Sequence, residues 1–198
     1  MSGTVLDKRY AAEQGGVSAQ FNLGVMYELG QGVPQDYAEA IRWYRKAADQ
    51  GDAYAQSRLG LMYDQGLGLP QDYAEAAYWY RKAAEQGNAS AQCNLGVMYR
   101  YGQGVPRDYT EAARWYREAA EQGNDYAQFN LGCMYYEGQG VLQDYEQAHM
   151  WLNLAASCSS GDNQEEFASV RDSVAGKMTT QQIADAQRRG REWKPNPA

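Results

Sequence analysis

The stretch Leu23-Gly24-Val25-Met26-Tyr27 decides the fold, because it returns three more times along the chain. The later versions are Leu59-Gly60-Leu61-Met62-Tyr63, Leu95-Gly96-Val97-Met98-Tyr99 and Leu131-Gly132-Cys133-Met134-Tyr135. The spacing is 36 residues each time, and an aspartate and a tryptophan keep the same period. They are Asp36, Asp72, Asp108 and Asp144, and Trp43, Trp79, Trp115 and Trp151. A fixed period of this length predicts a repeat array, here of four copies that begin at residues 17, 53, 89 and 125.

Each copy is predicted to form two helices. In copy one, Leu23, Met26 and Tyr27 fall on one helical stripe, and a loop with two glycines and a proline then breaks the helix. Asp36 is placed to accept amide protons at the start of the second helix, which Gly51 is expected to end. Inside the first helix, a glycine costs about 1 kcal/mol relative to alanine. We therefore expect Gly24 and its equivalents to allow close packing of an aromatic residue or a backbone of the neighbouring helix, with Trp43 and Tyr44 supplying the complementary bulk.

The composition excludes several classes of protein. The chain has 198 residues and a formal net charge of -7, which disfavours binding to a nucleic-acid backbone. Its mean hydropathy is -0.74, and no stretch approaches the roughly 18 apolar residues of a membrane-spanning helix. Three cysteines without metal-ligand spacing and a single histidine, His149, offer little for a metal site. Catalytic motifs are absent, so we expect no enzyme activity, no metal and no cofactor.

The full pattern is A-x-x-x-L-G-x-M-Y-x-x-G-x-G-V-P-x-D-Y-x-x-A-x-x-W-Y-x-K-A-A-x-Q-G. It closely resembles the Sel1-like repeat, a relative of the tetratricopeptide repeat, from Ser18 to about Ala156. The resemblance implies an all-α, right-handed α-α superhelical solenoid of about four 36-residue repeats plus a C-terminal pair of capping helices. It also implies a bacterial scaffold or adaptor that binds a protein or a peptide. One cysteine-rich branch is reported to bind or hydrolyse β-lactams or cell-wall fragments, which is the alternative function, although this chain lacks the regular cysteine pairs of that branch.

The resemblance suggests three segments. Residues 1–16 echo the end of a second helix, and form either an N-terminal cap or the remainder of a partial repeat whose upstream part is missing. Residues 17–160 hold the four repeats, and residues 161–198 hold two capping helices, at about 162–177 and 181–193, with a short tail. As the sequence stands it carries no signal peptide, and the expected compartment is the cytoplasm; a missing upstream segment would make the periplasm an alternative.

The tetratricopeptide frame places the first helix of each copy on the concave face, where differences between copies are expected to set specificity. Seven residues on these helices are the predicted partner-binding set: Asn22, Arg58, Asn94, Arg100, Tyr101, Asn130 and Tyr136. Amides can bond the backbone of an extended peptide, arginines can bind carboxylates, and exposed tyrosines are frequent interface anchors. For the three asparagines the sequence leaves a structural role equally open, namely a bond to a neighbouring helix. A regular array without any partner also remains open.

Overall fold

The computed structural model describes residues 5–196, which form helices and loops without a β-strand. In chain order the helices are α1 (Val5–Glu13), α2 (Val17–Leu29), α3 (Tyr37–Asp49), α4 (Ala53–Gln65), α5 (Tyr73–Ala84), α6 (Ala89–Tyr101), α7 (Tyr109–Glu121), α8 (Asp125–Glu137), α9 (Tyr145–Cys158), α10 (Asp162–Ala175) and α11 (Thr180–Glu192). The chain divides into two compact units. Unit 1 runs to Ala91 and includes residues 103–105, and unit 2 holds residues 92–102 and the chain from Pro106 onward.

Helix capping follows the repeat. Asp36, Asp72, Asp108 and Asp144 each accept two backbone amides at the start of α3, α5, α7 and α9. These bonds satisfy donors that the helix itself leaves unpaired. Gly51 follows the end of α3 with φ of +93°, the left-handed conformation expected of a glycine at this position. The capping predicted from the sequence is therefore confirmed in copy one. The aspartate cap recurs in all later copies, and the glycine recurs as Gly87 and Gly123 in copies two and three.

In the first three copies, a buried tyrosine of the second helix packs on a glycine of the first. Tyr44, Tyr80 and Tyr116 are fully buried. A Cβ placed on Gly24 would lie 2.6 Å from the Tyr44 ring, so the close approach predicted for this glycine is present. Tyr44 makes the contact rather than Trp43, and in copy four Leu152 takes the place of the tyrosine.

The helices at the two ends pack on the array. In unit 1, the carbonyl of Ala12 in α1 accepts a bond from Gln20, as Ala48 in α3 does from Gln56. In unit 2, both α10 and α11 pack against α9, and Phe167 of α10 stacks on Phe129 at 4.3 Å between ring centroids.

The predicted bounds of the two terminal helices are close to the observed ones. Helix α10 ends at Ala175 rather than near Lys177, because the amides of Lys177 and Met178 bond carbonyls three residues back and so form a tighter turn than an α-helix. Thr179 caps α11 in a capping box with Gln182. Residues 1–4 of the predicted N-terminal segment and residues 197–198 of the predicted tail lie outside the described residues.

Candidate partner-binding surface

In unit 1, Arg58 is part of a three-residue cluster that joins neighbouring copies. Its guanidinium Nη1 lies 3.3 Å from Glu28 Oε1, and the other carboxylate oxygen of Glu28 accepts a hydrogen bond from the buried Tyr44 hydroxyl. Burial, followed by the hydrogen bond to Glu28, raises the pKa of Tyr44, so the phenol stays protonated. The Glu28 side chain is 12% exposed and that of Arg58 46%. Arg58 thus neutralises a half-buried carboxylate and still reaches solvent.

In unit 2, Arg100 of copy three stands at the position that Glu28 occupies in copy one, and it also bonds to the next copy. It donates to Asn130 Oδ1 at 3.0 Å and to Glu137 Oε2 at 3.3 Å. The Asn130 amide in turn donates to the carbonyl of Tyr126. Arg100 is only 14% exposed. The alternative that the sequence left open for the asparagines, a bond to a neighbouring helix, therefore describes the contacts of Asn130.

Tyr136 packs into the contact between α8 and the C-terminal helices. Its ring lies 5.9 Å from that of Tyr145, and the ammonium group of Lys177 lies 4.8 Å from its ring centroid. The residue is half-buried in a cluster that also includes Val174. Tyr136 therefore has an internal role, and only part of its surface is available to a partner.

The other three predicted residues are less engaged. Tyr101 is 62% exposed, with the Arg100 guanidinium 5.7 Å from its ring centroid. Asn22 is exposed and Asn94 is half-buried, and neither side chain forms a hydrogen bond to another residue within 5–196. Tyr54, on α4, is 67% exposed and packs against Phe21 at 6.1 Å between ring centroids.

Buried glutamines form a relay of hydrogen bonds that was not predicted from the sequence. Gln20 and Gln56 are at most 4% exposed, and each accepts a bond of 2.7 Å from the glutamine 30 residues further along, Gln50 or Gln86. Gln122 bonds Gln92 in the same way in unit 2. The signal was available, because Ala-Gln recurs at residues 19–20, 55–56, 91–92 and 127–128 with the 36-residue period. A polar residue that recurs in step with the core indicates a buried hydrogen bond.

The three cysteines are not paired with one another, and burial affects two of them. All three cysteines are free, and burial raises the pKa of the Cys93 thiol to about 12 and that of Cys133 to about 11. Thiols with such pKa values are poor nucleophiles at neutral pH. The described part of the chain contains no group of three or more metal-ligating side chains, and none of its helices is long and apolar enough to cross a membrane.

Comparison with known proteins identifies relatives of the whole array. The family model described as the Sel1 repeat matches residues 17–52, 53–88, 89–124 and 125–160. A search of curated proteins gave no match.

Three solved structures are similar to this chain. A protective antigen of uropathogenic Escherichia coli strains, displaying an SLR fold, is 40% identical with a TM-score of 0.85, over 94% of this chain and 39% of its own. A Sel1 repeat protein from Oxalobacter formigenes is 40% identical with a TM-score of 0.71, over 76% of this chain and 60% of its own.

The cysteine-rich protein B of Helicobacter pylori is 24% identical with a TM-score of 0.52, over 69% of this chain and 98% of its own, and it shows the fold alone. This chain therefore spans about two fifths and three fifths of the first two relatives. The predicted all-α solenoid is confirmed by these matches together with the helix pairs, and the chain belongs to the Sel1 repeat family.

Proposed function

We propose that this chain is a non-catalytic scaffold that binds a protein or a peptide through the first helices of its repeats. The observation that carries the proposal is the exposure of aromatic side chains on these helices, where Tyr54 and Tyr101 are 67% and 62% exposed. Large exposed aromatic residues cost solubility and are enriched among interface anchors. Packing within the chain explains why most first-helix residues are apolar or paired. It does not explain why two large aromatic side chains remain mostly exposed to solvent.

The contacts divide the seven predicted residues into two groups. Arg58 offers a partner carboxylate the donors that Glu28 does not use, because a guanidinium has five N–H groups. Asn22 and Tyr101 are exposed, and Asn94 is half-buried. Arg100, Asn130 and Tyr136 would act mainly by holding the helices that carry the exposed residues. In unit 1 the proposed surface therefore consists of Tyr54 with Asn22 and Arg58. In unit 2 it consists of Tyr101 with Asn94.

Photo-crosslinking tests this surface before the partner is known. A photoreactive phenylalanine analogue at position 101 should capture a protein from the source cell, whereas the same analogue at Arg114, on the second helix α7, should not. The captured protein should then bind Arg58→Ala and Tyr101→Ala more weakly, since truncation of a central anchor typically costs about 2 kcal/mol. Arg58→Lys, which keeps the charge, serves as the control, and circular dichroism checks that the variants stay helical. Adducts at 114 but not at 101 would show that the first-helix surface is not the binding surface.

A further inference from the structure

A surface groove of about 350 Å³ lies in unit 1 between α5 and the loop that contains Gly104 and Val105. Ala74, Ala77, Tyr78 and Arg81 form its other walls. The repeat explains why it is open. Copy one carries Ile41 where copy two carries Ala77, and the Ile41 side chain packs close to Gly68 in the corresponding loop. Alanine lacks this bulk, so an apolar volume filled in copy one is left open in copy two.

Cations surround the aromatic wall of this groove. Tyr78 is 49% exposed, and the Lys82 ammonium lies 4.9 Å from its ring centroid and 5.3 Å from that of Trp79. The Arg45 guanidinium lies 5.9 Å from the same Trp79 ring. Within residues 5–196, neither Lys82 nor Arg45 forms a salt bridge with a carboxylate. The charges of Lys82 and Arg45 are therefore not neutralised by a carboxylate of the described residues, although Arg45 donates one hydrogen bond to the Tyr63 hydroxyl.

The equivalent surface of copy three has the opposite character. Glu118 replaces Lys82 there, and Arg114 pairs with both Glu111 and Glu118, at 2.8 Å and 2.9 Å. The helix of copy three thus neutralises its own cation. Among the four copies, copy two alone combines an alanine at the position of Ala77 with a lysine at the position of Lys82, in a chain whose net charge is -7.

We propose that the groove of Ala77, Tyr78 and Lys82, the α5 groove, binds an acidic peptide segment that carries one aliphatic side chain. The aliphatic side chain occupies the volume above Ala77 and packs against the Tyr78 ring, burying apolar surface on both sides. Carboxylates on either side of it pair with Lys82 and Arg45, and such charge complementarity selects the partner and speeds encounter. A nucleic acid is a poorer occupant, because the net negative charge of the chain repels a long polyanion.

Labelled peptides of the form Glu-Glu-X-Glu-Glu, with leucine, isoleucine, valine, methionine or serine as X, test the proposal by fluorescence anisotropy on the full chain. We expect the four apolar peptides to bind at low salt, more weakly at high salt, and the serine peptide to bind at least about tenfold more weakly. Ala77→Ile, which installs the residue of copy one, should weaken binding of the leucine peptide by about tenfold. Lys82→Gln should weaken it and reduce its salt dependence. Ala113→Ile, at the same position of copy three, is the matched control and should leave the affinity unchanged.

Two results would overturn the proposal. One is the absence of binding by all four apolar peptides, and the other is an affinity that neither Ala77→Ile nor Lys82→Gln alters. Lys82→Gln changes an exposed side chain, so it gives an answer even if the added bulk of Ala77→Ile disturbs the helix. Circular dichroism of each variant establishes that the change in affinity is local. Because the groove does not include the first-helix residues, Tyr101→Ala should bind these peptides as the parent chain does.

Discussion

At the scale of single residues, the tightest feature of the structure is the glycine that faces a buried tyrosine in each of the first three copies. Cβ atoms added to Gly24, Gly60 and Gly96 would lie 2.6, 2.5 and 2.8 Å from the rings of Tyr44, Tyr80 and Tyr116. Such distances are far below van der Waals contact, and the rings are fully buried. A methyl group at any of these positions must displace the ring, and the ring cannot shift without displacing the core residues that enclose it.

Gly60→Ala should therefore destabilise the protein by about 1–3 kcal/mol through overpacking, despite the better helix propensity of alanine. Gly190→Ala is the matched control. This glycine also lies in a helix, α11, but its added Cβ would be 3.8 Å from the nearest atom, so the change should be neutral or stabilising by up to about 1 kcal/mol. Urea unfolding measures both, and equal effects of the two substitutions would contradict the packing argument.

His149 gives the C-terminal region a dependence on pH. It is 2% exposed, its Nδ1 has no hydrogen-bond partner in the described part of the chain, and burial lowers its pKa, with Arg171 adding to the effect and Asp172 opposing it. The native state therefore holds fewer protons on His149 than the unfolded state at mildly acidic pH. Stability from this residue is complete above the unfolded pKa, about 6.5, and decreases as the pH falls from there through the lower folded pKa.

His149→Ala, which installs the alanine found at this position in copies two and three, should remove this part of the pH dependence. The free energy of unfolding of the parent chain should fall more steeply between pH 7 and 5 than that of the variant. Melting curves across this range provide the measurement. Parallel pH profiles would show that His149 does not titrate differently in the folded and unfolded states.

At the scale of the helices, side chains 30 residues apart are joined both within and between copies. The bond from Gln50 to Gln20 lies within copy one, whereas Arg58 bonds Glu28 and Arg100 bonds Asn130 across neighbouring copies. The relay stops at Gln128, which is fully buried and whose Oε1 lacks a hydrogen-bond partner among the described residues. The residue 30 positions further along, where the donor glutamine would stand, is Cys158. A buried acceptor without a partner costs about 1–3 kcal/mol.

Cys158→Gln should continue the relay and raise the free energy of unfolding by about 1 kcal/mol. Cys158→Ser is the control, because its hydroxyl is too short to replace a glutamine amide. Denaturant unfolding compares the two. A gain in both variants would attribute the effect to loss of the thiol, and no gain in Cys158→Gln would show that the relay does not extend to α9.

The bonds of Arg58 and Arg100 to neighbouring copies are a part of the structure that could not be predicted from the sequence. The 36-residue period was predicted because the copies can be compared directly in the sequence. The aspartate caps and the glycine under the aromatic ring were predicted because they depend on the order of residues within one copy. The bond from Arg58 to Glu28 depends on how one copy lies against the next, which periodicity does not give. Arg58 and Arg100 were therefore interpreted as free for a partner, and their pairing with side chains of the same chain was missed.

At the scale of the whole molecule, the helices that follow the repeats cover apolar residues specific to copy four. Met150 and Leu154 are 7% exposed, whereas copy three has Arg114 and Glu118 at these positions. A Cβ on Gly190 of α11 would lie 3.9 Å from Met150, and Trp193 contacts Trp151 edge to face at 6.0 Å. Solenoid stability is a sum of copies and their interfaces, so we propose that α10 and α11 act as a cap.

Removal of residues 162–198 should lower the melting temperature and promote association, because Phe129, Met150 and Leu154 lose their cover. Removal of residues 193–198 alone is the matched control. It deletes the Trp193 contact and the bond from the Asn196 amide to the Glu121 carbonyl, and should have a smaller effect on melting without association. Calorimetry and gel filtration distinguish the two, and an unchanged, monomeric longer truncation would show that these helices are not a cap.

The bonds of the buried glutamines have a consequence for the history of the gene. Each of copies one to three holds its own glutamine pair, and Gln56 and Gln128 also donate to a backbone carbonyl of the copy before them, Ala48 or Ala120. Copies one and two are identical at 23 of 36 positions, and coding segments this similar can misalign during recombination, which adds or removes one complete 36-residue segment. Since such a segment brings its own glutamines and needs only a backbone carbonyl from its neighbour, a longer or shorter descendant can form the same junctions at once. Selection can then act on the number of copies before any single residue has changed.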